Sequence, residues 1–134
     1  MSEADRELIV RATEACGEAW APFSHFRVGA ATRLKSGKIL TGANQESEVF
    51  PAGMCAERTL LFHWQAHHSG DPIETLAIAS IPGERECSPC GQCRQVILDT
   101  ERRQGSPIRV IMCGDSSASV VGSAADLLPF GFKL

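Results

Sequence analysis

The sequence predicts an α/β fold: a three-layer α/β/α sandwich on a mixed five-stranded sheet. Three observations carry this expectation. TLAIASI (75–81) and IRVIMC (108–113) are nearly continuous apolar runs, as expected of strands covered on both faces. RVGAATRL (27–34) and KILTGA (38–43) read as two strands joined by a Ser36-Gly37 turn. Helical segments alternate with the later strands, which marks the last helices as crossovers between parallel strands.

Taken in order, residues 4–20 read as a helix, with Leu8, Ile9, Ala12, Ala15, Cys16 and Ala19 near helical spacing and Pro22 as its stop. The two strands of 27–43 follow, then a polar loop over 44–53. A second helix is expected from about Cys55 to His67, with Leu60, Leu61 and Trp64 turned inward. Strand 75–81 leads to a third helix that begins at Ser88-Pro89, Ser88 capping it and Pro89 in its first position. Strand 108–113 and a shorter one, ASVVG (118–122), complete the sheet. Ser123 then caps a last short helix that Pro129 ends.

A chain of 134 residues without repeat or linker is expected to form one domain over 1–134. Its hydrophobic fraction of 43% and charged fraction of 22% are those of a soluble globular protein. The net charge of −3 argues against a broad electrostatic grip on nucleic acid. No apolar run approaches the ~20 residues of a membrane span. The acidic start MSEADRELIV lacks a signal-peptide pattern, so a cytoplasmic setting is expected. In that reducing setting six cysteines point to metal or catalysis before disulfides.

Those cysteines are unevenly placed. CSPCGQC spaces Cys87, Cys90 and Cys93 equally, and Cys55 stands upstream in MCAER. Four ligands would close a structural zinc site; three would leave a corner for chemistry. Cys90 and Cys93 fall on one face of the third helix, while Cys87 precedes its cap, which favours three ligands. Cys55 opens the second helix, so two helix N-termini can converge on one ion and favour thiolates. Glu57, two residues after Cys55, is the second argument. A structural site has no use for a free carboxylate, whereas a catalytic one needs a base beside activated water. Three thiolates make zinc a poorer Lewis acid, and Arg58 or Arg94 could offset this by hydrogen bonds to the sulfurs. A lone CxxC is otherwise often a structural or redox pair.

CAER (55–58) followed by PCGQCRQ (89–95) resembles the small homotetrameric cytidine deaminases of pyrimidine salvage. FSHFRVGAA (23–31), GANQE (42–46) and LLPFGF (127–132) match in the same order, so the resemblance spans about 20–132. It implies zinc held by Cys55, Cys90 and Cys93, one ion per subunit, with water in the fourth position. Glu57 would take the proton of that water, deliver it to pyrimidine N3 and help the amine leave C4 as ammonia. The Ala56 backbone would hold the base, and the Ser88 carbonyl would meet the leaving amine. Phe26, Asn44 and Glu46 match nucleoside-holding positions, the last two at the ribose 3′-hydroxyl. Phe132, or else Phe130, would stack on the base in a neighbouring subunit of a homotetramer with shared sites. The implied partner is a small nucleoside, with neither nucleic acid nor membrane.

The segment Asn44-Gln45-Glu46-Ser47 departs from the family's usual Asn-x-Glu-Asn with an apolar residue between, and EVFPAGM (48–54) is unusual. The leading function is deamination of cytidine and deoxycytidine. One alternative is a same-fold aminohydrolase acting on a modified cytosine nucleoside or another base; a non-catalytic zinc module is the alternative of another class. His63, His67 and His68 read as a solvated helix end. Cys16 and Cys113 read as small core hydrophobes.

Overall fold

The computed structural model describes residues 1–134. Its elements are α1 (Glu3–Ala15), β1 (Arg27–Leu34), β2 (Ile39–Ala43), α2 (Ala56–His67), β3 (Ile73–Ile81), α3 (Gly91–Gln104), β4 (Arg109–Cys113) and β5 (Ala118–Val121). Short 3-10 turns lie at Cys16–Glu18, Phe50–Ala52 and Ala124–Leu127, the last capped by Ser123 as expected. The sheet order is β2-β1-β3-β4-β5. Only β3 and β4 pair in parallel; the other three pairings are antiparallel.

This topology puts a functional edge on the sheet. Because β1 is antiparallel to both neighbours, β2 and β3 run the same way with β1 inserted between them. α2 therefore crosses from β2 to β3, and α3 from β3 to its neighbour β4. The C-terminal ends of β2 and β3, the N-terminal ends of α2 and α3, and the start of β1 all meet at one edge. In α/β sheets that edge is where ligands bind.

Two cores flank the sheet, which makes it the middle of three layers. α1 sets Leu8 and Ala12 against Ala31, Ala77, Ala79 and Ile111. On the other face α2 and α3 bring Leu60, Leu61, Trp64, Ile97 and Leu98 onto Val28, Leu76, Ile78 and Val110. Alternate residues of β3 and β4 thus enter opposite cores, which explains their unbroken apolar runs. Cys16 and Cys113 are buried with them. No helix is long and apolar enough to cross a membrane.

Two glycines set how closely the helices approach. A Cβ at Gly29 would overlap the Ala12 carbonyl oxygen and lie 2.7 Å from the Cys16 nitrogen. At Gly42 a Cβ would lie 2.9 Å from the Leu60 Cβ. Backbone cannot yield there as a flexible side chain does. Gly29→Val is therefore expected to cost at least about 3 kcal/mol, read as a lowered urea midpoint.

The first helix ends earlier than its periodicity predicts. Ser2 caps it, its hydroxyl accepting from the Asp5 N–H at 3.1 Å, and it closes at Ala15 rather than near Trp20. Residues 19–20 are claimed by other pairing. The Trp20 N–H donates to the Asn44 carbonyl at 2.9 Å, and the Glu46 N–H donates to the Trp20 carbonyl at 2.8 Å. The loop after β2 is also closed at its base. Gln45 and Met54 exchange backbone hydrogen bonds of 2.9 and 2.8 Å.

Candidate active site

Cys55 is the N-cap of α2 and Cys90 the N-cap of α3, both in extended backbone geometry. The third helix thus starts two residues later than Ser88-Pro89 predicts. A sulfur takes the capping role of a hydroxyl: the Cys90 Sγ accepts from the Cys93 N–H at 3.4 Å. Ser88 and Pro89 stay in the preceding loop. The CxxC spacing is then that of a cap and the third helical residue, which turns both sulfurs to one side.

The sulfurs of Cys55, Cys90 and Cys93 all lie within 4.8 Å of one another. Those of Cys55 and Cys90 are 3.9 Å apart. Tetrahedral zinc at Zn–S of about 2.3 Å requires sulfurs about 3.8 Å apart. The donor set therefore fits zinc. Cys87 is outside this group. Its backbone N–H donates to the Cys113 carbonyl at 3.0 Å, and burial pushes its thiol up to about 11, so it keeps its proton.

Charge at the sulfurs is managed by one arginine. Arg58 Nη2 donates to the Cys55 Sγ at 3.3 Å. The Cys55 thiol is pulled down to about 5, first by a hydrogen bond from Cys93 and then by Arg58. Cys93 is pushed up, chiefly because it supplies that hydrogen bond. Metal binding must displace the retained proton. Arg94 does not share the task. Its Nε donates to the Pro89 carbonyl at 2.8 Å and its Nη1 to the Leu127 carbonyl at 3.2 Å, so its donors hold loops instead of sulfur.

Glu57 is the second residue of α2 and only 3% exposed. Burial pushes its carboxyl up to about 7, with the nearby Cys55 charge adding to the effect. It opens onto a cavity of about 250 Å³ that Cys55 and Cys90 also line. The same cavity gathers five more residues singled out by the sequence: Phe26, Asn44, Glu46, Ala56 and Ser88. A volume of this size holds a six-membered heterocycle. A second cavity of about 360 Å³ continues past Asn44 and Glu46 to Gln45, Ser47, Phe23 and Phe50. The rings of Phe23 and Phe50 meet edge to face at 5.6 Å.

Asn44 and Glu46 also brace the cavity wall. The Asn44 Oδ1 accepts from the Val28 N–H and its Nδ2 donates to the Phe26 carbonyl, both at 2.9 Å. One amide hydrogen and one lone pair remain. The Glu46 carboxylate accepts from the N–H groups of Phe23 and Ser24, at 3.0 and 3.2 Å, and from the Ser24 hydroxyl. The Ser24 hydroxyl bond, above the others, holds the Glu46 carboxyl below its usual range. Ser24 is thus part of the site, though the sequence assigns it nothing; its signal was the hydroxyl inside FSHF, which also accepts from the Phe26 N–H at 3.0 Å.

Phe132 is not brought to this cavity. It is 67% exposed and its backbone is held on α3. His63, His67 and His68 cluster at the far end of α2, with ring centroids 4.8 and 5.5 Å from that of His63.

A mixed α/β sheet that collects three thiols and a buried carboxyl at two helix mouths has the build of a mononuclear zinc hydrolase. The family model for the cytidine and deoxycytidylate deaminase zinc-binding region matches residues 2–105, and the chain belongs to that family. It is 36% identical over 96 residues to the cytidine deaminase of Halalkalibacterium halodurans, covering 71% of each chain. With the cytidine deaminase of Sporosarcina psychrophila it shares 35% identity over 129 residues, covering 95% of this chain and 90% of the relative. The crystal structure of cytidine deaminase from Burkholderia pseudomallei superposes with a TM-score of 0.82 at 35% identity, covering 98% of this chain and 100% of that one. Zinc is the cofactor that the family model and the sulfur cluster support together.

Proposed function

We propose that this chain is a zinc-dependent aminohydrolase that converts cytidine and deoxycytidine to the corresponding uridines. One observation carries the reading: a buried carboxyl beside three converging sulfurs, in a cavity sized for one base. Zinc held by Cys55, Cys90 and Cys93 supplies a Lewis acid that makes water easier to deprotonate. Glu57 takes one proton of that water and passes it to pyrimidine N3 while the water oxygen adds to C4. Glu57 then carries the hydroxyl proton of the adduct to the amine, so that the C4–N bond breaks, ammonia leaves and the C4 carbonyl forms. A carboxyl raised to about 7 can both accept and return a proton near neutral pH. The Ala56 backbone, at the start of α2, holds the base, and the Ser88 carbonyl receives the leaving amine. Phe26 forms a wall of the base pocket. The spare amide hydrogen of Asn44 donates to a sugar hydroxyl oxygen, and the Glu46 carboxylate accepts that hydroxyl's hydrogen.

Arg58 draws negative charge from the Cys55 sulfur and so keeps the ion electrophilic. Arg58→Gln is expected to retain one zinc per chain while lowering kcat at least about tenfold, measured with metal analysis alongside the assay.

The working enzyme in this reading is a single-domain chain assembled as a homotetramer in the cytoplasm. All six cysteines are free, in keeping with a reducing compartment. Phe132, held outside its own cavity, serves a neighbouring subunit by stacking on the base. Ser47 and the exposed Phe23–Phe50 pair favour a second reading, a larger modified cytosine nucleoside as preferred substrate.

Ammonia release across cytidine, deoxycytidine, cytosine, adenosine, guanosine and modified cytidines tests both. Turnover of cytidine and deoxycytidine is expected. Turnover of a modified nucleoside alone would transfer the assignment to the second reading. A zinc-loaded protein inert to the whole panel would mean a binding module.

A further inference from the structure

Helix α3 serves two ends of the chain at once. Its first turn carries Cys90 and Cys93, and its next turns hold the last residues. The Gln95 amide pairs with the backbone of Phe132 in both directions: the Phe132 N–H donates to Oε1 at 2.9 Å, and Nε2 donates to the Phe132 carbonyl at 3.0 Å. Arg102, seven residues along the same helix face, donates to that carbonyl at 2.8 Å. Asp99 accepts from the Gln95 Nε2 at 2.8 Å, which fixes which end of the amide faces the carbonyl.

The neighbouring residue deepens the seat. A Cβ at Gly131 would overlap the Leu98 Cδ2, so the tail backbone lies directly on the helix. Upstream, Arg94 ties the Leu127 carbonyl to the Pro89 loop. The tail after Leu127 has no strand or helix of its own, so the Gln95 amide takes the place of a paired strand. Phe130 receives no such clasp and is 98% exposed.

We infer that Gln95, seconded by Arg102, is a positioning residue that presets the Phe132 ring for the substrate site of an adjoining subunit. This rests on the reading that Phe132 stacks in that site. A ring on an untethered tail would lose backbone freedom each time substrate bound; on a clasped tail the backbone part of that cost is already met. Gln95 touches neither substrate nor metal and acts through Phe132. Its loss weakens binding of substrate and transition state alike, so it raises KM without lowering kcat. The clasp also selects Phe132 over Phe130 as the stacking ring.

Steady-state kinetics on the zinc-loaded oligomer test this, with cytidine as probe and zinc content and mass by light scattering measured for each variant. Gln95→Leu is expected to raise KM about tenfold, with kcat within about twofold and unchanged zinc and mass. Arg102→Met should shift KM the same way by less, and it decides the matter if the first variant does not fold. Phe132→Ala should raise KM at least as much, and the Gln95→Leu/Phe132→Ala double variant should be no worse than Phe132→Ala alone. An unchanged KM in folded Gln95→Leu, or effects that multiply in the double variant, overturns the inference while leaving the role of Phe132 intact. An unchanged KM in Phe132→Ala overturns the reading beneath it.

Discussion

Glu57→Gln is expected to give a folded, zinc-loaded protein whose kcat is at least about four orders of magnitude below the parent's. General acid–base catalysis by one positioned group contributes about 10²–10⁴, and Glu57 is asked to act more than once in a turnover. The amide keeps the shape of the carboxyl, so packing at this buried position is preserved. It can neither accept the proton of water nor return one to N3 or the amine. Stability should move the other way. A carboxyl raised from 4.5 to about 7 in the folded state costs stability as pH rises between those values, and the whole cost stands above 7. Without metal, Glu57→Gln should therefore unfold at a higher temperature than the parent at pH 8, with the gap closing as pH falls toward 4.5. Metal analysis, stopped assays and thermal melts check the three statements. A variant that turned over within tenfold of the parent would remove Glu57 from the chemistry.

The second large effect is expected at the sulfurs. Cys90→Ala should lose bound zinc and, with it, measurable turnover, while Cys87→Ala should keep one zinc per chain and most of its activity. The contrast follows from geometry. The Cys90 sulfur sits 3.9 Å from that of Cys55 and also accepts the Cys93 N–H that caps α3. Its removal deletes a ligand and a cap together, the cap alone being worth about 1 kcal/mol. The Cys87 sulfur lies outside the cluster. Loss of zinc from Cys87→Ala would mean a fourth sulfur ligand and a closed structural site.

What could be read from the amino acids alone divides along physical lines. β3 and β4 were legible because both faces are buried, which leaves little room for polar residues. The cluster of Cys55, Cys90 and Cys93 was legible because helix starts obey local rules of spacing. Local rules failed where distant chain competed for the same groups. α1 stops short because Trp20 is needed by Asn44 and Glu46, a pairing no periodicity reports. Ser88 lost the capping role because the Cys90 sulfur turns toward the ion site and takes the Cys93 N–H as it does so. Arg94 binds carbonyls 5 and 33 residues away, and Gln95 finds Phe132 at a separation of 37. Such contacts depend on the completed fold.

The paired backbone bonds between Gln45 and Met54 have a consequence for how this scaffold diversifies. They pinch residues 46–53 into a closed excursion whose stem is fixed. Cys55 follows immediately after the pinch, so a change of wording or length inside the excursion need not shift the sulfur. The rim proposed to meet the sugar can then be rewritten as an exchangeable cassette while the sulfur cluster stays in register. All of the EVFPAGM wording except the stem residue Met54 sits in such a cassette.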